Sequence, residues 1–169
     1  LDEGKTEREC CAYVEAAAKA AGYEAFDFGC KLKAGDKIYY NNRGKNMYLI
    51  KVGTENIAKD GIRIIASHID SPRLDLKQLP LYESEGVALG KTHYYGGLRK
   101  YQWAAIPLAL HGVVALKDGT TVQVKVGEDE SDPVFYISDL LPHLAAKQNQ
   151  KPLGNAIEGE QLNIWFGNI

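Results

Sequence analysis

The sequence predicts an α/β protein in two parts, an opening α/β segment to about residue 75 and a β-rich remainder. Three observations predict it. A capped amphipathic run follows Thr6, a continuous apolar run occupies 62–70, and strand-like pairs flank turn signals at 37–53 and 113–126.

Thr6 followed three residues later by Glu9 is a capping-box pattern, and Cys10, Val14, Ala17, Ala18 and Ala21 recur at helical spacing up to Gly22. A helix over 7–21 is expected. KIYYNNRGKNMYLIKVG, residues 37–53, places two β-rich runs around Asn-Arg-Gly, where Asn42 and Gly44 supply turn conformations, and predicts a hairpin. IRIIASHID, residues 62–70, is apolar without alternation, the pattern of a strand covered on both faces inside an α/β sheet. After Pro72 the character shifts to short strand-like runs and many turn residues. VVALKDGTTVQVKV, residues 113–126, reads as a second hairpin around Asp118-Gly119. Val134 to Ile137 is a further strand candidate, and Ser138 is expected to cap a short helix through about Lys147, with Pro142 in its first turn. No internal repeat is found.

Composition narrows the function classes. Of 169 residues, 45% are hydrophobic and 25% charged, ordinary for a globular protein, and no apolar run reaches the ~18–20 residues that span a bilayer. A membrane role is not expected. Twenty Lys and Arg against 22 Asp and Glu give a formal charge of −2, with no basic stripe for a phosphate backbone, so nucleic acid is a poor partner. Cys10, Cys11 and Cys30 leave one thiol unpaired in any intramolecular scheme, which favours a reducing, cytoplasmic setting. Their spacing lacks the CxxC pairs of a structural zinc site, and Cys10 is expected to pack in a helix core. The chain starts at Leu1 and stops just after an apolar stretch, Leu162, Ile164, Trp165 and Phe166, so both ends look cut.

His68 and Asp70 stand at the carboxyl end of the expected strand, where open α/β sheets place functional groups. In extended backbone, residues two apart project to one side, so the carboxylate lies near the imidazole or near what the imidazole binds. A metal-ligating histidine needs an acceptor on its other ring nitrogen, and a nearby carboxylate is a common supplier. Alone the pair is a weak signal, and a satisfied histidine at a strand end is the plain alternative.

Context adds specificity. SHIDSP followed by RLDLK, residues 67–77, resembles the signature in which aspartyl aminopeptidases and vacuolar aminopeptidase I present their first metal histidine. THYYGGLRKYQW, residues 92–103, with the following IPLALHGVV, is similar to that family's glycine-rich segment, above all in its clostridial-type bacterial branch. YYNNRG at 39–44 and EGEQLNI at 158–164 also look like family landmarks, in the expected order. The resemblance covers essentially the whole chain.

The resemblance implies an α/β/α metallopeptidase catalytic domain, here residues 1–75, interrupted by a β-rich dimerisation domain, here 76–169. It also implies a homo-oligomer, a peptide substrate, and two zinc ions in each complete site, with other divalent metals such as cobalt as alternatives. On the family pattern His68 ligates one metal and Asp70 orients it. The bridging Asp, a Glu-Glu pair containing the general base, another carboxylate and a last histidine come later in the family. No adjacent Glu-Glu pair occurs in this chain, so it is expected to be a truncated, inactive portion of the enzyme. The rival expectation is a non-enzymatic β-rich assembly module.

In many relatives a histidine of the glycine-rich segment reaches a neighbouring subunit's active site. Lys100 aligns with it here, and His93 lies close by; both are candidate substrate contacts. A lysine supplies positive charge near an oxyanion, though a solvated surface lysine is the plain alternative. Gly96 and Gly97 suit a tight backbone path, since no P-loop Lys-Ser/Thr pair accompanies them. His111, His143 and the acidic run 127–132 are expected to be structural or solvated.

Overall fold

The computed structural model describes residues 2–168. The chain is a mixed α/β protein that divides into two compact units, Leu1–Ser71 and Pro72–Ile169.

In the first unit, helix α1 (Glu7–Ala20) begins at the expected capping box, with Glu9 N–H donating to Thr6 Oγ1 and Thr6 N–H to the Glu9 carboxylate. Its inward stripe is turned from the expected one. Cys11 and Ala18 are buried and Val14 and Glu15 half-buried, whereas Cys10 is only partly covered and Ala17 is exposed. The reason is polar: Glu15 is drawn in to accept from Tyr39 Oη and Asn41 Nδ2 of the neighbouring strand.

That strand belongs to a three-stranded sheet in the order β1 (Glu24–Ala25), β2 (Lys37–Asn42), β3 (Asn46–Lys51), with β1 and β2 parallel and β2 and β3 antiparallel. The hairpin is the one expected, but its left-handed positions are Arg43 (φ 61°) and Gly44 (φ 66°), with Asn41 Oδ1 accepting from Gly44 N–H. Alternation sorts β2: Tyr39 and Asn41 meet the helix, while Tyr40 stacks edge-on with Phe28 on the opposite face. A single helical turn, α2 (Ile57–Asp60), follows, with Asn56 as its cap.

The expected buried strand at 62–70 is not one. The segment pairs with no strand, and Ile62, Ile64 and Ile65 are 65%, 74% and 100% exposed. Among the described residues nothing lies beside it to form a ladder, so the apolar pattern goes unfulfilled.

The second unit is built on a three-stranded antiparallel sheet, β4 (Arg73–Ser84), β5 (Val87–Tyr95) and β8 (Ile164–Asn168), in that order. β4 and β5 join through Glu85 (φ 53°) and Gly86 (φ 75°), a tight turn matched to strand twist. Pairing breaks between Leu76 and Leu81, and Pro80 sits in that bulge, where no ladder donor is required. β6 (Leu110–Ala115) and β7 (Thr121–Val126) form the second expected hairpin, with Gly119 in its turn. Ile137 and Leu162 are the centre of the core, joined by Ala104, Ile157 and Ile164.

Two expectations here are corrected. Val134–Ile137 forms only isolated bridges, Phe135 to Leu108 and Tyr136 to Trp165. No α-helix occupies 138–147; single turns close from Leu144 N–H to Leu141 O and Ala145 N–H to Pro142 O, before a 3₁₀ turn at Gln148–Gln150. Asp139, not Ser138, takes the local donors, accepting from Leu140 N–H and Gln148 Nε2.

Candidate metal-ligand site

The extended backbone before Pro72 brings His68 and Asp70 together as their spacing implies. His68 Nδ1 lies 3.1 Å from Asp70 Oδ1 and 2.9 Å from the Asp70 carbonyl oxygen. Both oxygens are acceptors, so Nδ1 carries the proton, and in the neutral ring the lone pair is on Nε2. The His68 side chain is 82% exposed and that of Asp70 35%, so the imidazole reaches into solvent. The expected setting at the end of a buried strand is therefore corrected to an exposed one, because residues 62–68 are exposed and only Ile69 and Asp70 are partly covered.

One histidine does not make a zinc site. Catalytic zinc takes three protein ligands, and among the described residues no group of three or more His, Cys, Asp or Glu is placed to hold a metal. The thiols do not add to it: Cys10, Cys11 and Cys30 are all free, and burial, followed by nearby charge, pushes the Cys11 thiol up. The residues present fit one ligand with its orienting carboxylate, not a complete centre.

His93 and Lys100, the candidate substrate contacts, lie in the second unit and are brought together around one ring. His93 stacks on Tyr94 with centroids 5.6 Å apart and planes 18° apart, and Lys100 Nζ lies 5.4 Å from the Tyr94 centroid. Lys100 opens a 3₁₀ turn, Lys100–Gln102, and borders a cleft of about 480 Å³ with Lys151, Glu158 and Gly159. His93 borders a second, open cleft of about 780 Å³ with Lys77, Lys91 and Glu160. Glu160 accepts from Lys77 Nζ at 2.7 Å, and this contact holds its carboxyl below the usual range. Sequence reasoning missed Tyr94 and Gly159, because they are distant in the chain and no periodicity links them. Gly96 has φ 79°, and a Cβ there would come within 3.4 Å of Pro72, as a tight backbone path requires. His111, read as structural, is largely buried and its Nε2 lies 2.9 Å from Glu128 Oε1, a partner the apolar run around it does not announce.

A family model described as aminopeptidase I zinc metalloprotease (M18) matches residues 1–167. The chain belongs to the M18 family. It is 52% identical, over 169 residues, to the probable M18 family aminopeptidase 1 of Clostridium acetobutylicum, covering 98% of this chain and 36% of that protein. Among solved structures, the M18 aminopeptidase of Thermotoga maritima superposes with a TM-score of 0.90 at 38% identity, covering 99% of this chain and 36% of that one. Aminopeptidase I from Clostridium acetobutylicum superposes at 0.84 with 48% identity, covering 97% and 36%. The chain thus spans little more than a third of the length of the M18 relatives it matches.

Proposed function

We propose that this chain is a portion of a zinc-dependent M18 aminopeptidase that removes N-terminal residues from peptides, in which His68 supplies one metal ligand and Asp70 orients it. The observation that supports the reading is the Nδ1 contact to Asp70, which directs the lone pair of the other ring nitrogen outward. Two zinc ions in the complete site, or cobalt in their place, belong to the same proposal. So do His93 and Lys100 as contacts to the peptide, and a role for the residues after about 75 as a dimerisation domain in a homo-oligomer. No helix among the described residues is long and apolar enough to cross a membrane, and three free cysteines suit the cytoplasm. Among the described residues no group of three or more metal-ligating side chains comes together, so this segment by itself is inactive on our reading.

The test is metal content and turnover of an aminoacyl chromogenic substrate in the full-length protein that carries this chain. Loss of about one zinc equivalent with activity in His68→Ala supports the reading, and wild-type zinc and turnover refute it. A second reading, a non-enzymatic assembly module, is favoured by one feature: Val114 and Val122 face each other on β6 and β7 with both side chains about half exposed. Absence of turnover by the full-length protein with any divalent metal supports it.

A further inference from the structure

Tyr94 touches both candidate substrate contacts and lies close against Gly159. We propose that Tyr94 is a positioning residue for Lys100 and His93, and that residue 159 is glycine in order to seat its ring. The inference rests on the reading of those two side chains as contacts to a peptide oxygen.

The ring's surroundings carry the argument. Lys100 has a long, flexible stem, and the ring face 5.4 Å from its Nζ limits where the charge can go. The stacked His93 ring shares that same anchor. Gly159 lies outside the left-handed region, so its backbone does not demand glycine. Space does: a Cβ there would stand 2.7 Å from Tyr94 Cε1 and 3.1 Å from Cδ1, closer than carbon atoms pack. The residues on either side of it are tied down, Glu158 to Lys151 at 2.8 Å and Glu160 to Lys77 at 2.7 Å. The bare backbone of Gly159 is thus pressed against the ring, and a side chain there displaces Tyr94 and the two groups resting on it. The ligand class is an oxygen bearing negative charge, a carboxylate or polarised carbonyl of a peptide.

Kinetics of the full-length protein test this. Tyr94→Leu and Gly159→Ala should each lower kcat/KM roughly two- to fivefold, the scale of a part-exposed cation–π contact, with Tyr94→Phe restoring most of it. The loss from Tyr94→Leu should largely vanish when Lys100 is already alanine. If Lys100→Ala and His93→Ala leave kcat/KM unchanged, the substrate-contact reading fails and the inference with it. If they lower it while Tyr94→Leu and Gly159→Ala do not, or if Tyr94→Phe is as impaired as the leucine variant, positioning fails alone. A thermal midpoint accompanies each variant; should Tyr94→Leu not fold, Gly159→Ala carries the test.

Discussion

Asn41 Nδ2 donates to Glu15 Oε2 across 2.8 Å, joining the second strand to the only long helix among the described residues. Glu15 Oε1 also accepts from Lys19 Nζ at 2.7 Å and Tyr39 Oη at 3.3 Å, so one carboxylate gathers three donors. The Lys19 contact first, and Asn41 next, hold the Glu15 carboxyl below its ordinary value of 4.5. A depressed folded-state pKa stabilises above the unfolded value and is lost as pH falls through the folded one. Glu15→Gln should therefore lower stability at neutral pH by about 0.5–1.5 kcal/mol, with the difference closing in acid. Thermal melts of both proteins from pH 7 to pH 3 check it; a gap that is constant with pH contradicts it.

Gly90 faces the Phe166 ring, which an added Cβ would strike. Gly90→Ala should cost about 1–3 kcal/mol by overpacking between β5 and β8. Gly112→Ala, whose methyl meets nothing within 4 Å, is the matched control in urea unfolding.

In the full-length protein, Asp70→Asn should reduce kcat/KM about 10–100-fold, since the amide can present an N–H to Nδ1 and release the tautomer that the carboxylate holds. His68→Ala should be more severe, losing bound metal as well. Metal analysis beside kinetics separates the two, and unchanged activity in either removes the role assigned to it.

This chain alone should show no aminopeptidase turnover with zinc or cobalt, because His68 is accompanied by no cluster of further ligands among the described residues. Metal-dependent release of chromophore by rigorously purified chain would overturn this.

The chain should also associate. The edge strand β4 and the half-exposed Val114–Val122 pair offer pairing and apolar surface, and a specific interface buries at least about 1,000 Å². Sedimentation at micromolar concentration should show a dimer or larger species that Val114→Glu with Val122→Glu weakens. A monomer at all concentrations defeats the claim.

How much was legible depended on where each signal lived. Thr6 and Glu9, the Asn42–Gly44 turn and Asp118-Gly119 encode their turns and caps within a few residues, so the helix and both hairpins could be read directly, though Arg43 and not Asn42 takes the left-handed position. The contact between His68 and Asp70 was legible for the same reason. The apolar run at 62–70 was misread because burial is a property of neighbours, and among the described residues none covers 62–68. Pro142 and Asp139 broke the expected helix through local hydrogen bonds that competed with it. The Tyr94–Gly159 contact spans the chain and depends on the absence of a side chain, which leaves no periodic trace.

The uncovered run before His68 also sets the order in which the chain meets a probe. Among the described residues, the N–H groups of residues 62–67 donate to no acceptor. Those amides should exchange with deuterium at near-random-coil rates while Tyr39 and Leu162 stay protected, and a protease at limiting dose should cut at Arg63 first. Anything that lies down beside this ribbon reports itself as slowed exchange there.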